Sequence, residues 1–273
     1  MAKTALITGC SSGIGRATAR AFLDDDWTVY ATARDAADLV DLADLGCETA
    51  ELDVTDEEQV RAVVDAVLGE QGRLDCLVNN AGYGQFGPVE DVTTDALHRQ
   101  FEVNVYGPHR LMRAVLPHMR ERGEGRVVNV SSVAGRISTP GMGAYAASKF
   151  ALEALTDALR NEVAPHGVRA VLVEPGPVET GFAERANGEL EELPRSDAYE
   201  TVYRLYDDGE VFGGQSPIAV RPDQVARTVL EAAVTPDPRA RYPVGGFAEL
   251  SLKARYLPDG ARDTAFSLLE RLL

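Results

Sequence analysis

Tyr145 and Lys149 stand four residues apart in the run Tyr145-Ala146-Ala147-Ser148-Lys149, so a helix there would place both side chains on one face. A free phenol titrates near pH ~10 and is a poor acid or base at neutrality. An ammonium beside it favours the phenolate and draws that pKa toward the working range, as proton exchange with a carbonyl or alcohol oxygen requires. Upstream, Thr8-Gly9-Cys10-Ser11-Ser12-Gly13-Ile14-Gly15 follows a short apolar run and precedes helical apolar spacing. Gly9, Gly13 and Gly15 let the backbone approach a pyrophosphate, while Ser11, Ser12 and Ile14 flank a helix N-terminus whose N–H groups favour negative charge. A dinucleotide loop followed by a Tyr–Lys pair points to carbonyl–alcohol redox chemistry.

The choice between NAD and NADP falls at the end of the second expected strand. An acidic residue there would hold a ribose 2′-hydroxyl and repel a 2′-phosphate. This chain instead has Ala33 and Arg34, which leave space and positive charge for a phosphate. Ser11 or Ser12 adds a hydrogen bond, and Asp35 is the complication, able to pair with Arg34 or reach the ribose. NADP(H) is therefore expected in preference to NAD(H).

These residues need a scaffold, and the hydrophobic pattern supplies one. Short apolar runs at 3–8, 27–33, 47–52, 74–78, 126–130, 168–174 and 241–244 read as strands. Helical spacing covers 13–24, 36–45, 57–68, 95–122 (with a break near Gly107-Pro108), 145–164, 222–234 and much of 249–273. Continuously apolar strands alternating with helices imply an α/β fold, a Rossmann-like doubly wound parallel sheet of about seven strands covered on both faces. One domain spanning 1–273 is expected. Residues 178–216, with scattered Phe182, Tyr199, Tyr203, Tyr206 and Phe212, read as a substrate lid, and 249–273 as a C-terminal extension.

Composition narrows the partners. The net charge of −16 would repel nucleic acid and anionic membranes, and no apolar run approaches the roughly 20 residues of a membrane helix. The chain enters Thr4-Ala5-Leu6-Ile7-Thr8 almost at once, leaving no room for a signal peptide, so a cytoplasmic protein is expected. Cys10, Cys47 and Cys76 fall in no metal-ligand spacing, and His98, His109, His118 and His166 sit on helical segments without a carboxylate or cysteine partner; no metal site is expected. Of 27 basic residues only Lys3, Lys149 and Lys253 are lysines. The acidic surface is read as adaptation to high salt, where charge repulsion is screened. The melting temperature should climb as KCl rises to multimolar levels; equal stability at low and high KCl would dismiss that reading.

With these motifs assembled, the chain resembles the short-chain dehydrogenase/reductase family over at least residues 3–180. The resemblance rests on Thr8 to Gly15, Asp53-Val54, Asn79-Asn80-Ala81-Gly82, Asn104, Ser131-Ser132, Tyr145-x-x-x-Lys149, and Pro175-Gly176 with Thr180. The glycine loop and Tyr30-Ala31-Thr32-Ala33-Arg34 are similar to NADP-preferring members related to 17β-hydroxysteroid and retinol dehydrogenases. The resemblance implies that Asp53 and Val54 meet the adenine, that Asn80, Ala81 and Gly82 line the cofactor cleft, and that Pro175, Gly176, Val178 and Thr180 hold the nicotinamide end. It implies Tyr145 as general acid in reduction and base in oxidation, with Lys149 lowering its pKa and contacting the nicotinamide ribose. Local chemistry does not separate Ser131 from Ser132; the family spacing of thirteen residues before the tyrosine selects Ser132 to polarise the carbonyl. Asn104 would hold a water beside Lys149.

The implied reaction interconverts a secondary alcohol and a ketone or aldehyde, on a small-molecule substrate that is bulky and apolar. Two alternatives stand beside it: a 3-oxoacyl-carrier reductase, and a non-catalytic NADP-sensing protein. The family also implies a homodimer or homotetramer, in which the helix bearing Tyr145 pairs across a two-fold axis. Ala146, Ala147, Ala151, Ala154 and Ala158 would permit close helix approach.

Overall fold

The computed structural model describes residues 2–207 and 216–264. Among these, β1 (Thr4–Thr8), β2 (Thr28–Ala33), β3 (Glu48–Glu51), β4 (Cys76–Asn79), β5 (Gly125–Val130), β6 (Val168–Pro175) and β7 (Arg241–Val244) form one parallel sheet in the order β3-β2-β1-β4-β5-β6-β7. The helices are α1 (Gly13–Asp24), α2 (Val40–Asp44), α3 (Glu57–Gln71), α4 (Thr94–Phe101), α5 (Gly107–Arg122), α6 (Gly143–Val163), α7 (Phe182–Glu191), α8 (Glu200–Asp207), α9 (Pro222–Val234) and α10 (Gly246–Ala254).

The central strands are apolar on both faces because helices cover both. Ala5, Ile7, Val128, Val171 and Val173 pack with Ala19 and Phe22 of α1 and Val225 and Val229 of α9. On the opposite face Leu6, Leu77, Val127 and Ala170 meet Val60, Val63, Val64 and Val67 of α3 and Leu111, Val115 and Met119 of α5. Helix α1 presents Gly15, Thr18, Ala19 and Phe22 inward, a spacing of three and four residues that defines one buried stripe. Strand β1 lies between β2 and β4, so the sheet grows outward from it in two directions. A crevice opens beyond the carboxyl ends of β1 and β4, where open α/β sheets bind ligands.

Three stretches carry detail beyond the sequence expectation, and in the first the expected break near Gly107-Pro108 is present. The helix expected over 95–122 is α4 and α5 joined by a π-helical turn, Glu102–Tyr106, with Pro108 in the first turn of α5. Proline has no N–H to donate to the carbonyl of Asn104 four residues earlier, which favours the wider turn. The loose segment 178–216 contains α7 and α8, bounded by residues such as Gly181 and Pro194 that shorten each apolar pattern; residues 208–215, including Phe212, lie outside the described residues. The C-terminal stretch forms α10, a break near Pro258 and a helical turn at 259–264; 265–273 lie outside the described residues.

Candidate active site

The loop after β1 packs too tightly for side chains. Gly9 (φ +73°) and Gly13 (φ +55°) adopt left-handed backbone, and a Cβ on Gly13 would meet Thr180 Cγ2 at 2.9 Å. A Cβ on Gly15 would meet the Gly9 carbonyl oxygen at 2.1 Å, so Gly15 supports the loop from behind and does not line the cleft. The loop is braced from β4: Asn80 Nδ2 donates to Thr8 O (2.9 Å) and Gly9 O (3.2 Å), while Thr8 Oγ1 accepts from the Asn80 and Ala81 N–H groups (3.1 and 3.0 Å). Ser12 precedes α1 without capping it through its side chain, so the first-turn N–H groups and both serine hydroxyls remain for a ligand. This cradle fits a dinucleotide pyrophosphate.

The cleft, of about 2170 Å³, gathers Gly9, Ser11, Ser12, Gly13, Ile14, Arg34, Asp53, Val54, Asn80, Ala81, Gly82, Ser131, Ser132, Tyr145, Lys149, Pro175, Gly176, Val178 and Thr180 along one wall system. Arg34 is exposed at its rim and has no ion pair with a described residue. Asp35 instead caps the following turn, accepting from Ala37 N at 2.8 Å, and it makes no ion pair with Arg34. Asp53 Oδ1 accepts from the Thr55 N–H and hydroxyl, each at 2.8 Å. Val54 packs where a Cβ on Gly107 would come within 2.8 Å of its Cγ2.

Tyr145 and Lys149 share one face of α6, as their spacing requires, yet the expected lowering of the phenol pKa is absent. Burial pushes Tyr145 up to about 12, and its hydrogen bond with Ser132 opposes that rise. Lys149 Nζ donates to Val130 O at 2.9 Å and lies 5.9 Å from the Tyr145 ring centroid. Burial pushes the ammonium down to about 8, with Glu153 pulling it back up. Burial is thus the dominant influence on the phenol, and the Ser132 hydrogen bond opposes it. Ser132 Oγ accepts from Ala134 N (3.1 Å) and donates to Pro175 O (3.4 Å); the hydroxyl of Ser131 is buried with no partner among the described residues.

Asn104 lies one layer behind the cleft, fully buried. Its Oδ1 accepts from Tyr83 N (3.1 Å), and its Nδ2 donates to Tyr83 O (2.9 Å) and Ser148 Oγ (3.1 Å). The side chain is therefore committed to protein. Gln100, one turn earlier, binds the same loop through Gln85 N (2.5 Å) and Tyr83 O (2.8 Å). Sequence reasoning missed Gln100; the i,i+4 spacing of Gln100 and Asn104 was the available signal. It also missed a partner of His98, whose Nε2 is 3.6 Å from Glu102 Oε1.

Above the phenol the cleft is apolar. Phe182, the first residue of α7, has its ring 5.5 Å from that of Tyr145, and Phe86 stands 6.0 Å from it edge-on. Met142, Ile137 and Phe247 line the same space. Helices α7 and α8 are tied down at Asp91, which accepts from Ser196 Oγ (2.5 Å) and Tyr203 OH (2.6 Å), and at Pro140 O, which accepts from Tyr206 OH (2.5 Å). Ala146 is buried in this cluster, so it does not belong to the outward stripe expected of α6. Ala147 and Ala154 are exposed beside Phe150 and Leu155.

Residues 3–191 match the short chain dehydrogenase family. The chain is 41% identical to human 17-beta-hydroxysteroid dehydrogenase type 1 over 260 residues, covering 89% of this chain and 77% of that one. A short-chain dehydrogenase structure from Streptomyces avermitilis superposes with TM-score 0.84 at 37% identity, covering 99% and 98% of the two chains. Similar enzymes have been solved with either cofactor. The Burkholderia phymatum protein was solved with NAD (TM-score 0.76, 30% identity, 88% of each chain), and the Burkholderia cenocepacia protein with NADP (TM-score 0.77, 25% identity, 97% of each chain).

Proposed function

The chain belongs to the short-chain dehydrogenase family and is an NAD(P)-dependent oxidoreductase, and from that premise we propose that it uses NADP(H) to interconvert a bulky apolar secondary alcohol and its ketone or aldehyde. The observation that carries this reading is one cleft with Arg34 exposed at one end and Tyr145 under an aromatic wall at the other. A guanidinium suits a 2′-phosphate by charge and by its forked donors. Segment 178–216 acts as the lid, within one domain spanning 1–273, and the protein is cytoplasmic.

The cofactor, when bound, supplies or accepts the hydride. Gly9, Ser11, Ser12, Gly13 and Ile14 bind its pyrophosphate, Asp53 and Val54 its adenine, and Asn80 to Gly82 with Pro175, Gly176, Val178 and Thr180 its nicotinamide half. Burial keeps Tyr145 protonated at neutral pH, so the phenol enters reduction as the proton donor. Ser132 Oγ donates to the same substrate oxygen and stabilises the charge that develops there. Lys149, charged below about pH 8, favours phenolate formation as the proton leaves. The Asn104 side chain is spent on Tyr83 and Ser148, so of Asn104 only the main chain is left to hold a water beside Lys149. Oxidation runs the same steps backward and needs the phenolate, so its rate should rise with pH toward about 12, while reduction keeps its protonated donor through the neutral range.

Phe182 and Phe86 form the substrate wall. Replacing Phe182 with Ala removes apolar area that a bulky ketone would bury, a loss of about 1.5–3 kcal/mol. The kcat/KM for bulky ketones should drop roughly tenfold or more, with small ketones changed far less; equal losses for both would remove Phe182 from the substrate site. Outside the cleft, the exposed stripe of Ala147, Phe150, Ala154 and Leu155 forms the two-fold contact of a homodimer or homotetramer.

Fluorescence titration with NADPH and NADH, followed by a ketone and alcohol panel read at the nicotinamide absorbance band, tests the reading. Tighter NADPH binding with turnover of bulky ketones supports it. Binding without turnover of any compound favours the sensing alternative.

A further inference from the structure

Beneath the reacting groups lies an ionic cluster that plays no part in the steps above. Glu174, the residue before Pro175 on β6, has a side chain 1% exposed, and Glu153, one helical turn beyond Lys149 on α6, has one 6% exposed. Two guanidinium groups join them. Arg136 Nη1 is 3.2 Å from Glu174 Oε1 and 3.9 Å from Glu153 Oε2. Arg241 of β7 places Nε 3.0 Å from Glu153 Oε2 and 3.4 Å from Glu174 Oε1, and its Nη2 2.6 Å from Asp157 Oδ2. Asp157 also pairs with Arg160 at 2.7 Å.

Such a cluster is a weak source of net stability, because desolvating the charges offsets their attraction. Its geometry supplies something else. Ser132 and Arg136 are the two ends of one tight turn, closed by Gly135 N donating to Ser132 O (2.9 Å) and Arg136 N donating to Val133 O (3.0 Å). The turn lies flat on α6: a Cβ on Gly135 would meet Ser131 Oγ at 2.8 Å, Glu153 Cγ at 3.0 Å and the Lys149 carbonyl oxygen at 3.2 Å. Arg136 thus ties the Ser132 turn to α6 through Glu153 and to the end of β6 through Glu174. These segments carry Ser132, the Tyr145–Lys149 pair and Pro175-Gly176.

We infer that Arg136 is a positioning residue for the reaction: its buried pairs with Glu174 and Glu153 fix the Ser132 turn against the helix that carries Tyr145 and Lys149. Burial and the adjacent Glu153 push the Glu174 carboxyl up, and Arg136 together with Arg241 opposes that rise. The inference rests on the reaction assigned above, in which Ser132 and Tyr145 share one substrate oxygen.

The test compares R136K, R136Q, G135A and the charge-balanced R136Q/E174Q with the wild type. Thermal melting, NADPH affinity, backbone hydrogen exchange over 132–136, and kcat and KM for the best ketone of the panel are measured on each. R136Q and G135A should exchange faster over 132–136 and lose about tenfold to a hundredfold in kcat, the scale of small misplacements, with NADPH affinity retained. R136K should recover part of the loss. R136Q/E174Q should regain melting temperature but not kcat, because it balances charge without restoring the tie. Unchanged exchange and kcat in R136Q would overturn the inference, as would full recovery of kcat in the double variant, which would reduce Arg136 to charge neutralisation. A wild-type protein that turns over no ketone would defeat the assigned reaction, while the exchange data would still decide whether Arg136 holds the turn.

Discussion

Replacing Tyr145 with Phe should leave NADPH binding nearly intact and cut ketone turnover by at least about a hundredfold, the low end of general acid–base contributions. The ring is buried against Phe86 and Phe182, and phenylalanine preserves that packing, so the substitution deletes the hydroxyl alone. Ser132 loses one hydrogen-bond partner but keeps Ala134 N and Pro175 O, which confines the disturbance. Kinetics alone separate the outcomes: a fall in kcat at constant NADPH affinity identifies a proton donor, whereas full activity removes Tyr145 from that role. The pH profile adds a sign. Because burial holds the phenol protonated up to about pH 12, wild-type reduction should show no loss from phenol ionisation through the neutral range.

Arg34→Ala should weaken NADPH by roughly tenfold to a hundredfold, which is the worth of about 1.5–3 kcal/mol for hydrogen bonds to a charged group, while NADH binding changes little. Arg34 is exposed with no described ion-pair partner, so its removal disturbs no internal network. The difference between the cofactors is therefore the informative quantity, and parallel fluorescence titrations measure it. Equal losses for both would place 2′-phosphate recognition elsewhere on the cleft rim.

Local spacing made much of this legible. Tyr145 and Lys149 needed only the helical period, the glycine loop only its place between a strand and a helix, and the sheet only alternating apolar runs. The structure then revealed what depends on residues distant in sequence. Glu153, Glu174, Arg136 and Arg241 are scattered over β6, α6, β7 and a turn, and no local pattern predicts that they converge. The high pKa of Tyr145 arises from Phe86, Phe182 and the helices of 182–207 closing over it; the i,i+4 argument saw the ammonium but not the wall. Asn104 was identified, yet its amide faces Tyr83 and Ser148, because a motif states a residue type without its side-chain partners. Helices α7 and α8 escaped notice because each spans only two or three turns, with Pro194 between them.

The most direct test of the central claim uses NADPH carrying deuterium at the transferable C4 position, incubated with the protein and a bulky ketone from the panel, with the product analysed by mass spectrometry and NMR. Alcohol bearing deuterium on the carbinol carbon, formed by the wild type and almost lost in Tyr145→Phe, is the expected result. Alcohol without the label, or NADPH bound tightly while every ketone remains unreduced, would contradict it.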